Sequence, residues 1–297
     1  MGVALARLLY YIGNTDWKYE PRNHSLLHKI IKGVAPVFAF AAAMGLSGCD
    51  GNVSINGEDG VPLAELDLAG KKPNSLVLAG PDTVQVRDGD VLKIDVSGDP
   101  DAVAALRFTL DDETLGVMRK KNADADGKAT VTVTLPGLEK LTLAGSGTVD
   151  AASLAGKSEV VIAGSGTAKV ARVGTSKLEV TIAGSGSFGA AGKAEALELT
   201  VAGSGSANMA GLSVETAEVT IAGSGNASFA SNGTVEASVM GSGDVTVKGD
   251  AKCTIKSMGS GTLRCDRGAT SEDGTVPPPP PATPEPPAAP KAPETPE

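Results

Sequence analysis

A Gly-Ser-Gly tripeptide returns at nearly constant spacing along the second half of this sequence and limits the folds available to it. Seven copies are present, and their first glycines are separated by 19, 20, 19, 20, 18 and 18 residues. The glycines of the seven copies are Gly145, Gly147, Gly164, Gly166, Gly184, Gly186, Gly203, Gly205, Gly223, Gly225, Gly241, Gly243, Gly259 and Gly261. A repeat of this length indicates stacked units that bury their apolar side chains against their neighbours.

The residues between the tripeptides alternate in polarity, which a flexible Gly/Ser-rich linker would not require. Before Gly223, Val219 and Ile221 are apolar and Thr220 between them is polar; most other copies follow the same pattern. The positions four and six residues after the first glycine of each copy are apolar, as Val149 and Ala151 are. Period-two alternation predicts two short strands per repeat, with apolar side chains inward and Thr or Ser outward. Glycine suits the tight corner between them because it reaches positive φ at little cost. A β-sandwich of hairpins is the alternative, but its strand lengths would not recur so evenly.

The sequence before the repeats contains a weaker version of the same pattern. Leu76–Val84 matches Leu141–Val149 position by position, and Asp101–Leu106 is predicted to form a short helical turn. Repeat proteins need terminal caps, so we interpret this region as a degenerate capping section. The predicted organisation is a leader at 1–48, a tether at 49–73, a head domain at 74–267 with its cap at 74–136 and its repeats at 137–267, and a Pro-rich disordered tail at 268–297.

The leader has the features of a bacterial export signal. Lys29 and Lys32 precede an apolar run of fourteen residues, Gly33–Leu46. A bilayer span needs about 20 residues, whereas this length is typical of a signal-peptide core. The run ends in Leu46-Ser47-Gly48-Cys49, which resembles the lipobox in which the cysteine is lipidated and becomes the mature N-terminus. We predict lipidation of Cys49 and anchoring in the cell envelope, at the outer membrane or the periplasmic face of the inner membrane; an ordinary export signal or a short membrane anchor is the alternative.

Two further cysteines, Cys253 and Cys265, lie six residues on either side of Gly259. Exported proteins enter an oxidising space, where two thiols normally pair. We predict a disulfide between them, brought together by a hairpin-like turn at Met258–Gly261, with two buried free thiols as the alternative. A zinc site is not expected, because neither a histidine nor a third cysteine is near.

The composition after Cys49 argues against several functions. This part has twenty-one Lys/Arg and thirty-three Asp/Glu, a net charge of −12, which disfavours nucleic acid and anionic lipid surfaces as partners. Both histidines, all three tyrosines and Trp17 precede Cys49. Without histidine there is no Ser-His-Asp or Cys-His machinery and no imidazole ligand. We therefore expect no cofactor, no metal and no catalytic residue.

The run Ser75–Asp95, the Thr-Leu-Pro step at Thr134–Pro136 and the Gly-Ser-Gly series, including Gly-Ser-Gly-Asn at Gly223–Asn226, together resemble a known family. They are similar to the GIN-type head domain of auto-transporter adhesins over about two thirds of the chain. The resemblance implies a right-handed β-helix-like fold and not self-secretion, and it brings no catalytic residues.

A binding or adhesion module is the first functional hypothesis. If the coils stack, Thr142, Thr181, Thr200 and Thr220 would form a flat polar ladder suited to weak, repeated contacts with an envelope polysaccharide or protein. A purely structural spacer of the envelope would have the same sequence features.

A polysaccharide-active β-helix enzyme is the other hypothesis, because such sites need paired carboxylates about 5–10 Å apart. Glu179, Glu198 and Glu218 share one position in the repeat and would lie about 4.8 Å apart in stacked coils. Lys177 and Lys193 would neutralise part of this face. We favour the non-catalytic binding module.

Overall fold

The computed structural model describes residues 55, 59–120 and 127–266. This part of the chain is nearly all β and forms a β-solenoid of about seven turns, as the repeat predicted. The leader, the lipobox cysteine Cys49 and the Pro-rich tail lie outside the described residues.

Within the described residues the chain forms fifteen strands, one α-helix and one 3-10 turn. In chain order they are the 3-10 turn Leu63–Glu65, β1 (Ser75–Ala79), β2 (Thr83–Asp88), β3 (Lys93–Gly98), α1 (Pro100–Ala105), β4 (Leu106–Leu110), β5 (Thr114–Arg119), β6 (Ala129–Leu135), β7 (Lys140–Gly145), β8 (Thr148–Gly164), β9 (Thr167–Gly184), β10 (Ser187–Gly203), β11 (Ser206–Gly223), β12 (Asn226–Gly241), β13 (Asp244–Lys248), β14 (Lys252–Gly259) and β15 (Thr262–Asp266). The helical turn predicted at Asp101–Leu106 is α1. Asp99 caps it by accepting hydrogen bonds from the backbone N–H groups of Asp101 and Ala102.

Each of the long strands β8 to β12 runs from one Gly-Ser-Gly corner to the next and makes one coil. Successive strands pair in parallel, so equivalent residues of neighbouring coils lie side by side.

We call the strands that lead into the Gly-Ser-Gly corner the entry wall: β5, β1, β7, the second halves of β8–β12, and β14. The strands that leave the corner form the exit wall: β6, β2, the first halves of β8–β12, β13 and β15. The bend between exit and entry wall, near Gly156, Gly174, Lys193, Ser213 and Asn232, is the distal corner.

The core is a narrow stripe of aliphatic side chains enclosed by the two walls. Val160, Val180, Leu199 and Val219 occupy one inward column and are at most 1% exposed. Burying each such side chain contributes about 1.5–3 kcal/mol. The stripe continues through the cap as a single contiguous cluster, which explains how a chain with 3% aromatic residues can fold.

The cap does not follow the order of the chain. Leu76 pairs with Leu141 and Val84 with Val149, so the sequence match between these segments corresponds to real register. The next coil outward is made by β5 and β6, which pair with the far edges of β1 and β2. Strands β4 and β3 then pair antiparallel with β5 and β6. Covering the outermost parallel strands in this way protects edges that could otherwise pair with another chain.

Part of the segment predicted as a tether belongs to the folded unit. Val61 forms an antiparallel bridge with Phe108, and the side chains of the 3-10 turn and the residues after it pack against the core. Ile55 is 1% exposed and contacts the outward-facing Val77 on the entry wall. Residues 59–73 are therefore not a free tether, because their apolar side chains cover the cap.

The other end of the solenoid contains the predicted disulfide, Cys253–Cys265, with a Cα–Cα distance of 6.6 Å. The predicted hairpin is wrong, because β14 pairs in parallel with β12 and β15 with β13. Cys253 continues the inward column of Val235 on the entry wall, and Cys265 continues that of Val247 on the exit wall. The bridge thus crosses the interior of the last coil.

Candidate functional site

The Gly-Ser-Gly corners fix the register on which any surface of this protein depends. The first glycines of the seven copies have φ between 113° and 131°. A Cβ on Gly203 would lie 2.5 Å from the carbonyl oxygen of Gly184 in the preceding coil. A Cβ on Gly205 would lie 2.5 Å from a methyl group of Ile182 and 2.9 Å from the Gly186 oxygen. Real Cβ atoms do not approach backbone this closely, so the corners stack in direct backbone contact and keep the walls in register.

The threonine ladder predicted on the entry wall is present, but it is less accessible than expected. Thr142, Val161, Thr181, Thr200, Thr220, Ser238 and Lys256 form one in-register outward column. Thr142 and Thr200 are only 4% and 5% exposed, whereas Thr181 and Thr220 are half-buried. Neighbouring strands lie about 4.8 Å apart, so side chains in adjacent coils cover much of one another.

A glutamate column runs beside the threonines, two residues earlier in each coil. The structure places Glu179, Glu198 and Glu218 in register, as predicted, and extends the column at both ends with Glu159 and Glu236. Glu159 and Glu236 were not predicted as members of this column. Their common offset of five residues before the first glycine could have identified both.

Lys177 neutralises part of the column. It lies two residues before Glu179 on the same face, and its ammonium group pairs with Glu179 and, at 3.0 Å, with Glu198 of the next coil. Hydrogen bonds to these two carboxylates raise the pKa of Lys177, although partial burial opposes the shift. The prediction that Lys193 also neutralises this face was wrong. Lys193 lies at the distal corner, in register with Gly174 and Ser213.

Glu159 has a different environment from the exposed members of the column. Burial raises the pKa of its carboxyl group above its ordinary value, and the negative charge of Glu179 raises it further. Lys140 stands in register beside Glu159 and opposes the shift. The N-terminal end of the glutamate column is thus less accessible to water than its centre.

The entry wall is a polar surface with a shallow groove of about 390 Å³ along the glutamate column, lined in part by Lys177, Glu198 and Glu218. Its carboxylates stand in one row on one face, and Lys177 occupies two of them. In the part of the chain that the structure describes, no three His, Cys, Asp or Glu side chains are grouped so that they could hold a metal ion. None of its helices is both long and apolar enough to cross a membrane.

Two surface grooves were not predicted from the sequence. One, of about 660 Å³, lies on the exit wall beside Gly189, where outward side chains are missing between Lys169 and Asn208; Val170 and Phe188 contribute to its largely apolar lining. The run Gly189-Ala190-Ala191-Gly192 was the available signal, because small residues interrupt an otherwise occupied column.

The other groove, of about 850 Å³, follows the distal corner through four coils and is polar, with Ser176, Lys193, Glu195 and Glu215 in its lining. Thr175, also at this groove, is 7% exposed, and its hydroxyl group has no hydrogen-bond partner. The residues that line this groove differ in type from coil to coil, so no sequence motif indicated the distal corner.

Comparison with known proteins identifies relatives by fold. Among solved structures, the chain is similar to a "putative adhesin" from Bacteroides fragilis NCTC 9343, with a TM-score of 0.60 and 20% identity over 66% of this chain and 93% of that chain. It is also similar to a "putative lipid binding protein" from Parabacteroides distasonis ATCC 8503, with a TM-score of 0.52 and 21% identity over 66% of this chain and 94% of that one. A "putative adhesin" from Parabacteroides merdae ATCC 43184 gives a TM-score of 0.52 and 22% identity over 66% and 93% of the two chains.

No curated protein matches the chain. The family model described as "Putative auto-transporter adhesin, head GIN domain" matches residues 72–251, which include the whole cap at 74–136 and all but the last coil. With more than half of its length matched, the chain belongs to the family of auto-transporter adhesin head GIN domains.

Proposed function

We propose that this protein is a non-catalytic binding module of the bacterial cell envelope, anchored by a lipid on Cys49, and that its entry wall contacts the ligand. The observation that carries the proposal is a column of glutamates in register along five consecutive coils, with a column of threonines beside the three central ones. A surface that repeats every coil can make many equivalent weak contacts, and such contacts add up to useful avidity.

The family and its solved relatives support a binding role. The names given to the relatives are those of adhesins and, in one case, of a lipid binding protein. An envelope polysaccharide or an envelope protein is the proposed ligand class. Hydroxyl groups and carboxylates at regular spacing can hydrogen-bond to the hydroxyl groups of a polymer that lies along the stack.

The arrangement of the carboxylates favours binding over glycoside hydrolysis. Hydrolysis needs two carboxyl groups on opposite sides of the scissile bond, one acting as acid and the other as base or nucleophile. Here the acids share one face, and Lys177 holds two neighbouring carboxylates at once. That contact engages both carboxylates with a cation instead of leaving them to face a substrate.

The binding surface is tested with the purified chain and isolated cell envelopes. Thr181→Arg with Thr220→Arg places two long side chains on the entry wall and should weaken binding about tenfold or more, a loss of about 1.4 kcal/mol. Thr167→Arg with Thr246→Arg makes the same change at half-buried positions of the exit wall and serves as the matched control. Equal binding by the entry-wall variant and the wild type, or a loss confined to the exit-wall variant, would refute the assignment.

The anchor is tested separately in cells. Cys49→Ala should abolish metabolic palmitate labelling and release the protein from the membrane fraction, because the modified cysteine is the proposed attachment point. Cys253→Ala keeps the lipobox and should retain the label. Persistence of both label and membrane association in Cys49→Ala would disprove the lipid anchor.

A further inference from the structure

The two ends of the solenoid are finished differently. At the N-terminal end, β3 and β4 pair antiparallel with the outermost parallel strands. At the C-terminal end, β14 and β15 each pair with one preceding strand, and the described residues provide no strand for their other edges. Ile255 continues the inward column of Ala237, which is 2% exposed, yet Ile255 is 39% exposed. The last coil thus presents unpaired backbone and a partly exposed apolar interior.

This open end is basic, although the chain as a whole is acidic. Lys252 and Lys256 point outward from β14, in the columns of Thr234 and Ser238. The last coil, Lys252–Asp266, contains three basic residues and one acid, whereas the whole chain has a net charge of −9. An occupant of this edge would therefore gain from negative charge.

The chain's own continuation does not suit the edge. The last two repeats are each 18 residues long. At that spacing, Ser271, Asp273 and Thr275 would fall on the inward columns of Cys253, Ile255 and Ser257, and Pro277 on that of Gly259. A carboxylate over an apolar column is costly to bury. Proline cannot donate a ladder hydrogen bond.

A second copy of the chain is also disfavoured at this edge. End-to-end pairing would bring Lys252 and Lys256 of both copies to one junction, and lysines on edge strands oppose such pairing. The two short strands would also contribute about a dozen residues per copy, fewer than the roughly 20–30 per side of a stable interface.

We propose that the free edge of β14 is a strand-addition site for an extended acidic peptide segment of a partner protein. Main-chain hydrogen bonds would provide affinity, and acidic side chains at alternate positions would lie beside Lys252 and Lys256. The Cys253–Cys265 bridge ties β14 to β15 across the interior, so the edge is held ready and loses little entropy on binding. This site uses the outer edge of β14, beyond the coils whose glutamates and threonines are proposed to contact the ligand, and it is tested independently of them.

The experiment measures fluorescence anisotropy of labelled octapeptides with the full chain in its oxidised form. An alternating Glu/Val peptide should bind, and an alternating Lys/Val peptide should not. Lys252→Glu with Lys256→Glu should reverse this preference and weaken binding of the acidic peptide about tenfold or more, as expected for two lost and two newly repulsive surface charge pairs. Lys169→Glu with Lys193→Glu, which makes the same charge change at exposed positions away from β14, is the matched control.

Two N-methylated acidic peptides distinguish strand addition from simple charge attraction. Methyl groups on alternate amides block one edge of a strand, so one peptide should lose binding and the other should keep it. Equal binding by both peptides would refute strand addition, and so would self-association of the chain without peptide binding.

Thermal melts of Lys252→Gln with Lys256→Gln check folding, and this neutral variant should bind with intermediate affinity. Reduction of the disulfide should weaken binding of the acidic peptide; unchanged binding would remove preorganisation from the proposal.

Discussion

The two corners of each coil repeat with different strictness. At the Gly-Ser-Gly corner the register is unbroken, and Gly164, Gly184, Gly203 and Gly223 stand directly beside one another. Between the exit and entry walls, every pair of long strands from β8 to β12 contains a register shift, either at the distal corner or on its approach from the exit wall. The difference in coil length, from 18 to 20 residues, is absorbed there.

The reason for the difference is that close backbone contact recurs in every coil at the Gly-Ser-Gly corner but only in some coils at the distal corner. At the Gly-Ser-Gly corner, consecutive glycines leave no space for a Cβ, so an extra residue would break the contact on both sides. At the distal corner such contacts occur only in some coils: a Cβ on Gly192 would lie 2.2 Å from the Val173 oxygen, whereas a Cβ on Gly174 would meet no atom within 4 Å. Bulges there can accommodate one residue more or less. Length variation and a polar groove are therefore found together at the distal corner, while the other corner supplies the alignment.

The largest expected loss of stability comes from a test that substitutes one glycine at each of the two corners. Gly203→Val introduces a Cβ at a φ of +121° and 2.5 Å from the Gly184 oxygen, so we expect a loss of about 4 kcal/mol or more in the free energy of unfolding. Gly174→Val, at the distal corner, meets no atom within 4 Å of its Cβ and should change it by less than about 1 kcal/mol. Urea denaturation of both variants decides between the corners. Equal losses would mean that the Gly-Ser-Gly corner is no more constrained than the distal one.

Sequence reasoning succeeded where one residue type answers one physical requirement. Only glycine meets the demands of the stacked corner, so seven copies at regular spacing revealed the coil, its inward columns and the register of Glu179, Glu198 and Glu218. The disulfide was predictable for a similar reason, because only two cysteines follow Cys49.

The remaining features depend on contacts that periodicity does not encode. Strands β5 and β6 carry the same alternation as other strands, so nothing in their sequence places them outside β1 and β2. The position of Lys193 depends on register shifts before the distal corner, and several residue types can form such bulges. The burial of the threonine ladder follows from neighbouring side chains rather than from its own pattern.

A second variant tests a corner that lacks the second glycine. In the first coil along the chain, Gly80-Pro81-Asp82 takes the place of Gly-Ser-Gly, and Asp82 is 1% exposed. Its carboxylate accepts hydrogen bonds from Nε of Arg119 at 2.8 Å, from Nη2 at 2.7 Å and from the N–H of Ala129 at 2.8 Å. Asp82→Ala should therefore cost about 3 kcal/mol, because it removes the charged partner of a partly buried guanidinium group and the acceptor of the buried Ala129 N–H.

The matched control for Asp82→Ala is the surface pair of Asp88 and Arg172, which is 2.9 Å long and well exposed. Asp88→Ala should cost less than about 1 kcal/mol. Thermal denaturation of the two variants provides the comparison. A small loss for Asp82→Ala would show that the corner is held by its backbone alone, as the Gly-Ser-Gly corners are.

Thr175→Val should make the distal corner more stable. The Thr175 hydroxyl is buried without a hydrogen-bond partner, and a valine of similar shape removes the cost of its desolvation. We expect a gain of about 1 kcal/mol in the free energy of unfolding. Thr200→Val, at an outward position of the entry wall, should stay within about 0.5 kcal/mol of the wild type. Denaturant titrations that show no gain for Thr175→Val would mean that this corner satisfies the hydroxyl in solution.

The smallest effect concerns Glu159, which lies just beyond the distal corner in the first full coil. Its pKa is raised from 4.5, mainly by burial, so the folded state holds its proton to higher pH than the unfolded state does. In the pH range between the two pKa values the folded state binds more protons, and stability falls as pH rises through this range. Glu159→Gln removes the titration and should flatten this fall, raising stability at neutral pH by less than about 1 kcal/mol, since the group is only half-buried.

Lys140 sharpens the test on Glu159, because its charge opposes the rise in the pKa. Lys140→Gln should raise the pKa of Glu159 further and make the loss of stability with rising pH steeper, the opposite of the effect of Glu159→Gln. Thermal unfolding measured from pH 4 to pH 8 reports both slopes. If both substitutions shift the slope in the same direction, the carboxyl group is not held by burial. Glu159, just beyond the distal corner, would then be as exposed to water as the glutamates in the centre of the column.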